Sequence, residues 1–254
     1  MKIIPVPCRA DNYMYLIHDP PSGVTAVVDP FDPKKLQAAA DAHSLKVGSH
    51  LLTTHHHFDH SGGNEEFIGL NPGIKVFGGS KQSYGVEDPI KDGDTFTLGG
   101  LQVKALATPC HTQDSICYLV TDPTTSEKAV FTGDTLFPSG CGRFFEGNAQ
   151  EMDRALNQVL TALPNDTVVY SGHEYARGNL EFARSIEPDN ENRERWWKRV
   201  EENGGISTGV GTIGDEKTHN VFMRLTEPGI KEKTKTTDRV DTMNALRTLK
   251  NEFK

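Results

Sequence analysis

The sequence predicts a layered domain of the α/β or α+β class followed by a helical region. Three observations carry that reading. Short β-rich runs fill the first two thirds of the 254 residues, a few helical patterns interrupt them, and strand-like runs nearly vanish after about Tyr175. Strands interleaved with a few helices must bury one face of a sheet against another layer, which is the signature of a layered domain.

In chain order, residues 13–17 and 24–28 read as strands because apolar and β-branched side chains recur there between turn residues. A helix then follows Asp32-Pro33 to about His43, with Asp32 at the N-cap and Pro33 in the first turn. Residues 50–54, 74–77, 101–106, 116–120 and 128–132 read as further strands, 149–163 as a helix and 167–170 as a last strand. Beyond a boundary near Tyr175, which divides residues 1–174 from 175–254, residues 179–186, 190–202 and 238–253 read as helices. The Gly-, Ser- and Thr-rich stretch 203–217 reads as a loop. There is no internal repeat and no extended low-complexity tract.

The charge balance, 27 basic against 35 acidic side chains for a net −8, argues against a general nucleic-acid or anionic-membrane partner. An anionic substrate would therefore need a local basic patch. Four cysteines, Cys8, Cys110, Cys117 and Cys141, are too few for a disulfide scaffold and lack paired metal-ligand spacing, so they read as reduced thiols. The first residues lack the apolar run of a signal peptide, and no stretch approaches the roughly 20 apolar residues that span a bilayer. The cytosol is the expected compartment.

Chemistry concentrates in His55-His56-His57-Phe58-Asp59-His60, directly after a predicted strand. Histidines at i and i+2 can converge on one cation while Asp59 and His60 point elsewhere and can bind a second. Imidazoles packed this closely without metal would repel when protonated and leave ring nitrogens unpaired when buried. Three later segments place polar residues just past predicted strands: His111 in Thr-Pro-Cys-His-Thr, Asp134 in Phe-Thr-Gly-Asp-Thr, and His173 in Ser-Gly-His-Glu-Tyr. Each alone would more often be a turn or capping residue; together with the cluster they read as ligands. Gly133 and Gly172 would allow a sharp turn or close approach there.

The pattern T-H-H-H-x-D-H followed by isolated His111, Asp134 and His173 resembles the metallo-β-lactamase superfamily. Within it, the run from Gly140 to Gly147, the Thr-Gly-Asp-Thr-Leu-Phe run from Thr132 and the helical C-terminal appendage resemble glyoxalase II, the hydroxyacylglutathione hydrolases. The resemblance covers nearly the whole chain. It implies an α+β fold, a four-layered αββα sandwich with a C-terminal helical domain that binds substrate. It also implies that His55, His57 and His111 hold one metal, Asp59, His60 and His173 a second, and that Asp134 bridges both. His56 is not a ligand in that pattern and reads as a hydrogen-bonded neighbour that orients the others. Nitrogen and oxygen donors suit zinc, iron or manganese; two divalent ions are expected, with zinc the first choice.

The implied reaction is hydrolysis of an S-(2-hydroxyacyl)glutathione such as S-D-lactoylglutathione to glutathione and D-lactate, the second step of methylglyoxal detoxification. A metal pair would lower the pKa of a bridging water from about 15.7 towards 7 and so supply hydroxide near neutral pH. A thiol, with a pKa of about 8.5, leaves with little help from a general acid. Asp59 and Asp134 are the candidate catalytic carboxylates, metal ligands first and proton acceptors second. Arg143, Tyr175, Arg247 and Lys250 match the family's glutathione contacts, although Arg247 and Lys250, at i and i+3, would by themselves read as a solvated helix face. Arg143 replaces a common Lys, and Phe145 stands where many members carry a Tyr whose hydroxyl touches glutathione.

Other readings fit less well. Persulfide dioxygenases share much of the motif but use a single iron and lack the long helical appendage; zinc-binding β-lactamases often carry Cys in place of Asp134; nucleic-acid-processing relatives carry a large inserted domain. A metal-binding module without catalysis would keep a complete ligand set for no chemistry. Trp196-Trp197 reads as helix packing, Cys110 and Cys141 as packing rather than nucleophiles, and His18, His43, His50 and His219 as surface or structural residues. A small-molecule thioester is the expected partner, with no nucleic acid and no membrane, acted on by a monomer.

Overall fold

The computed structural model describes residues 1–253. The chain forms two compact units, residues 1–107 with 114–133, and residues 108–113 with 134 onward.

The first unit contains β1 (Lys2–Cys8), β2 (Asn12–Asp19), β3 (Val24–Val28), α1 (Pro33–Ala42), β4 (His50–Leu52), α2 (Phe58–Ser61), α3 (Asn64–Leu70), β5 (Lys75–Phe77), β6 (Thr95–Leu98), β7 (Leu101–Ala107), β8 (Ile116–Thr121) and β9 (Lys128–Gly133). One sheet runs β1-β2-β3-β4-β5. Its first three strands pair antiparallel, whereas β3, β4 and β5 pair parallel, Val27 opposite Leu51 and Leu51 opposite Val76. Parallel neighbours require a crossover, and α1 supplies the first while α2 and α3 supply the second. The residues that follow β3 and β4 therefore leave the same end of the sheet, and they include Asp29 and the His55 to His60 run. The strands β6 to β9 pair antiparallel in sequence order within a second sheet. Met14, Leu16, Val27 and Leu51 pack with Leu36 and Ala40 of α1 and Phe67 of α3, all essentially inaccessible to water. The N-cap expectation for α1 holds: the Asp32 carboxylate accepts from Lys35 N at 3.0 Å.

The second unit begins its regular structure with a two-strand hairpin, β10 (Leu136–Phe137) and β11 (Gly140–Cys141). There follow α4 (Ala149–Arg154), continued by a π-helical stretch Ala155–Leu160, then β12 (Val168–Ser171), α5 (Ala176–Ile186), α6 (Glu191–Glu202), α7 (Ile213–His219), a 3₁₀ turn Val221–Met223, α8 (Pro228–Thr234) and α9 (Arg239–Glu252). Trp196 is buried against Ala176, Leu180 and Val200, with Trp197 packed on the same cluster, so the tryptophan pair is helix packing as expected. The loop expected over residues 203–217 is only half a loop. Thr212 and Asp215 form a reciprocal capping box that starts α7 inside it.

The hairpin turn is tied to buried polar groups of α5 and α7. Ser139, at φ +58°, donates its N–H to Glu216 Oε2 at 3.0 Å. Asn220 Nδ2 donates to Gly140 O at 3.0 Å and to Glu216 Oε2 at 2.8 Å, and Asn179 Nδ2 donates to Pro138 O at 3.2 Å. His219 completes the cluster, its Nδ1 2.9 Å from Ser139 Oγ, which makes it structural. Burial pushes the Glu216 carboxyl up to about 8 and the His219 imidazole down to about 3, so both are neutral at pH 7.

A carboxyl that titrates near 8 when folded and at 4.5 otherwise holds its proton more tightly in the native state. Its stabilising contribution is full below pH 4.5 and is lost as pH rises towards 8. Glu216→Gln keeps an acceptor for Ser139 and Asn220 and removes that loss. The variant should melt within a degree or so of wild type at pH 5 and about 3 °C or more above it at pH 8. A melting-temperature difference independent of pH would contradict the assignment.

Candidate metal centre

In the first unit, β4 ends at Leu52 and delivers Thr54 and His55 into the bend that starts α2, with His57 at the N-cap and Asp59 and His60 inside the turn. His55 and His60 are 1 % exposed, and His55 Nε2 lies 3.1 Å from His57 Nδ1. Ligand atoms of His55 and His57, of His55 and His60, and of Asp59 and His60 lie within 4.8 Å of one another.

Asp29, which the sequence reading passed over, organises this half. Its carboxylate accepts from Thr54 N at 2.8 Å, from Thr54 Oγ1 at 2.6 Å and from His60 Nδ1 at 2.9 Å. Because the Thr54 hydroxyl donates to Asp29, its oxygen is left to accept from His55 Nδ1, 3.1 Å away. Both imidazoles thus carry their hydrogen on Nδ1 and present Nε2 as a lone pair. The His60 lone pair faces Asp59 Oδ2 at 3.7 Å, and that carboxylate oxygen also accepts from Asn12 Nδ2 at 2.9 Å. Asp29 sits at φ +49° at the end of a parallel strand, a left-handed conformation disfavoured for most side chains. His56 turns away to Asp114, Nδ1 to Oδ1 2.8 Å, with Ser80 Oγ donating to the other carboxylate oxygen, as expected of an orienting neighbour rather than a ligand.

The second unit brings together His111, Asp134 and His173. Asp134 Oδ2 lies 3.4 Å from His111 Nε2 and 3.3 Å from His173 Nε2. His111 Nδ1 donates to Arg143 O at 3.0 Å, which leaves Nε2 as the ring atom turned towards the Asp134 carboxylate. Imidazole nitrogens and a carboxylate gathered this closely are the donor set a divalent cation takes. The donor chemistry in both units therefore fits a metal ion. Tyr175 lies flat against His173, ring centroids 4.7 Å apart and planes 8° from parallel, and fixes that imidazole's orientation.

A cavity of about 580 Å³ opens beside this trio, and the expected substrate residues Arg143, Phe145, Tyr175, Arg247 and Lys250 all line it together with His111 and Asp134. Arg247 is not a solvated face: it is 7 % exposed, its Nη1 donating to Cys141 O at 2.9 Å and its Nε to Asn251 Oδ1 at 2.9 Å. Lys250 Nζ donates to Gly178 O at 2.6 Å, and burial together with the Arg247 charge holds its ammonium down at about 8. Phe145, 61 % exposed, meets the His111 ring edge-on at 5.2 Å. The four cysteines are buried and none is in a disulfide. Burial pushes Cys110 up to about 12 and Cys141 to about 11, which suits packing and disfavours a thiolate nucleophile.

Since Asp29 sets the tautomer of two candidate ligands at once, Asp29→Asn should weaken metal retention about 10- to 100-fold, read as metal content after dialysis against a chelator series. Wild-type retention in a folded variant would remove Asp29 from this role.

The chain matches known proteins over its full length. Residues 72–173 match the family model of the metallo-beta-lactamase superfamily, and residues 174–253 match the model described as hydroxyacylglutathione hydrolase C-terminus. A protein of Arabidopsis thaliana named hydroxyacylglutathione hydrolase cytoplasmic is 46% identical over all of both chains. A probable hydroxyacylglutathione hydrolase of Schizosaccharomyces pombe is 47% identical over 95% of this chain and 93% of its own. Among solved structures, ETHE1 from Myxococcus xanthus superposes with a TM-score of 0.71 at 27% identity, covering 98% of this chain and 91% of its own.

Proposed function

Because this chain belongs to the hydroxyacylglutathione hydrolases of the metallo-β-lactamase superfamily, we infer that it hydrolyses the thioester of an S-(2-hydroxyacyl)glutathione, releasing glutathione and a 2-hydroxy acid. Divalent metal binding belongs to the superfamily, and the chain carries the His and Asp donors for it. The observation that carries the reading on this chain is the cavity of the second unit, where His111 and Asp134 share the walls with the cationic side chains Arg143, Arg247 and Lys250.

By the family pattern, His55, His57 and His111 would hold one ion, Asp59, His60 and His173 another, and Asp134 would serve both; zinc is the first choice, with iron or manganese as alternatives. Bound there, the metal pair would polarise the thioester carbonyl and acidify water. The remaining work falls to the chain's own residues. Arg247 and Arg143 offer guanidinium groups to glutathione carboxylates, Lys250 offers an ammonium, and Tyr175 offers its ring and hydroxyl beside His173. Phe145 supplies an apolar rim without the hydroxyl contact that a Tyr would give. Water adds to the acyl carbon and yields its protons to solvent, the carbon–sulfur bond breaks, and the departing thiolate takes one proton back, leaving carboxylate and thiol with one net proton released; Asp59 and Asp134 accept protons only secondarily.

We assign residues 1–174 to the catalytic domain and 175–254 to the helical substrate-binding domain. S-D-lactoylglutathione is the proposed substrate, D-lactate the product, and methylglyoxal detoxification the setting, in a cytoplasmic monomer that binds neither nucleic acid nor membrane. No helix among the described residues is long and apolar enough to cross a bilayer.

The test is thiol release from S-D-lactoylglutathione by protein of measured metal content, with oxygen consumption followed in parallel. Hydrolysis without oxygen uptake is expected, and no hydrolysis with zinc, iron or manganese would sink the assignment. Lys250 adds a pH signature: as its ammonium deprotonates near 8, KM should climb between pH 7 and 9. Lys250→Met should show a raised KM that no longer climbs.

A further inference from the structure

The first unit holds a second cavity, of about 660 Å³, whose chemistry the thioesterase reaction does not use. Three parallel rings form one wall. Phe77 of β5 and Phe96 of β6 stack at 3.9 Å and 6°, and His50 of β4 lies near-parallel to both, 5.9 Å from Phe77 and 6.2 Å from Phe96. Lys75, two residues before Phe77 on β5, and Lys104, on β7 opposite Thr95, line the same cavity. Among its lining residues there is no Asp or Glu, although the chain as a whole carries a net charge of −8. His50 Nδ1 is shielded from water with no hydrogen-bond partner.

We propose that this cavity is a second binding site, one that takes a small planar aromatic anion, its ring extending the Phe77, Phe96 and His50 stack and its acidic group meeting Lys75 and Lys104. Flat apolar surface and localised positive charge are each common on proteins. Here they share one recess, and an aromatic carboxylate or sulfonate satisfies both. A neutral aromatic would leave the lysines unanswered, and an aliphatic anion would gain nothing from the rings.

The probe is 2-naphthoate, titrated calorimetrically into the metal-loaded protein with glutathione held in excess to occupy the cationic cavity of the second unit. One binding event per chain is expected. Lys75→Glu/Lys104→Glu should weaken it at least tenfold with thioester hydrolysis unchanged, and Phe96→Leu should weaken it independently of charge. Both lysines are exposed, so the charge reversals should leave the fold intact, which circular dichroism would check. Absence of binding up to millimolar probe would overturn the proposal. So would binding that glutathione displaces, or binding indifferent to the lysine reversals.

Discussion

Asp134→Ala should lower kcat/KM for thioester hydrolysis by roughly 10³-fold or more and strip the protein of bound metal. The carboxylate is 9 % exposed and lies 3.3 to 3.4 Å from the Nε2 atoms of His111 and His173. It is the only anion in that trio, so its removal leaves two imidazoles with nothing beside them to neutralise a divalent charge. Asp134→Asn, which keeps the carbonyl oxygen but not the charge, should fall between wild type and Asp134→Ala. Chelation of the wild-type enzyme should reproduce the loss, and zinc, manganese or ferrous iron should reverse it for wild type but not for Asp134→Ala. An Asp134→Ala protein that retains both metal and turnover would rule out the ligand assignment. Unfolding alone would not explain a loss accompanied by a wild-type far-ultraviolet spectrum.

The ease with which Asp134 could be singled out contrasts with Asp29. Asp134 stands in a motif segment, and the His55 to His60 run announces metal by density alone. Asp29 is a single acidic residue before a proline at the end of an apolar strand, and there a turn is the ordinary reading. Its three accepted hydrogen bonds come from residues 25 to 31 positions away, which a local pattern does not encode. β1 was missed for a local reason. Pro5 and Pro7 argue against a strand, yet β1 is the outermost strand of its sheet, where a missing N–H is tolerated. The start of α7 was obscured by the Gly-rich composition before it, whereas the Thr212 and Asp215 capping box was a legible signal given too little weight. Arg247 shows the converse. Its spacing to Lys250 was visible, but only the α9 packing places its guanidinium on the Cys141 carbonyl and buries it.

That same contact makes Gly142→Ala a demanding test of how closely the hairpin fits the candidate metal ligands. A Cβ at Gly142 would stand 1.9 Å from Asp134 O and 2.8 Å from His111 Nδ1, both well inside contact distance. The hairpin cannot back away to make room, because Gly140 O is held by Asn220 and Cys141 O by Arg247. The backbone of Asp134 and the ring of His111 must move instead, and the hydrogen bond from His111 Nδ1 to Arg143 O, which sets that ring's tautomer, is lost with them. A displacement of about 1 Å at a reacting centre costs roughly 10²-fold in rate. Gly142→Ala should therefore lower kcat by about that factor and reduce metal occupancy. Gly229→Ala is the matched control: it sits in α8 with nothing within 4 Å of its added methyl. Normal kcat and metal content in Gly142→Ala would mean that the 140–142 segment yields more readily than its hydrogen bonds imply. The ligands would then owe their placement to the strand ends alone.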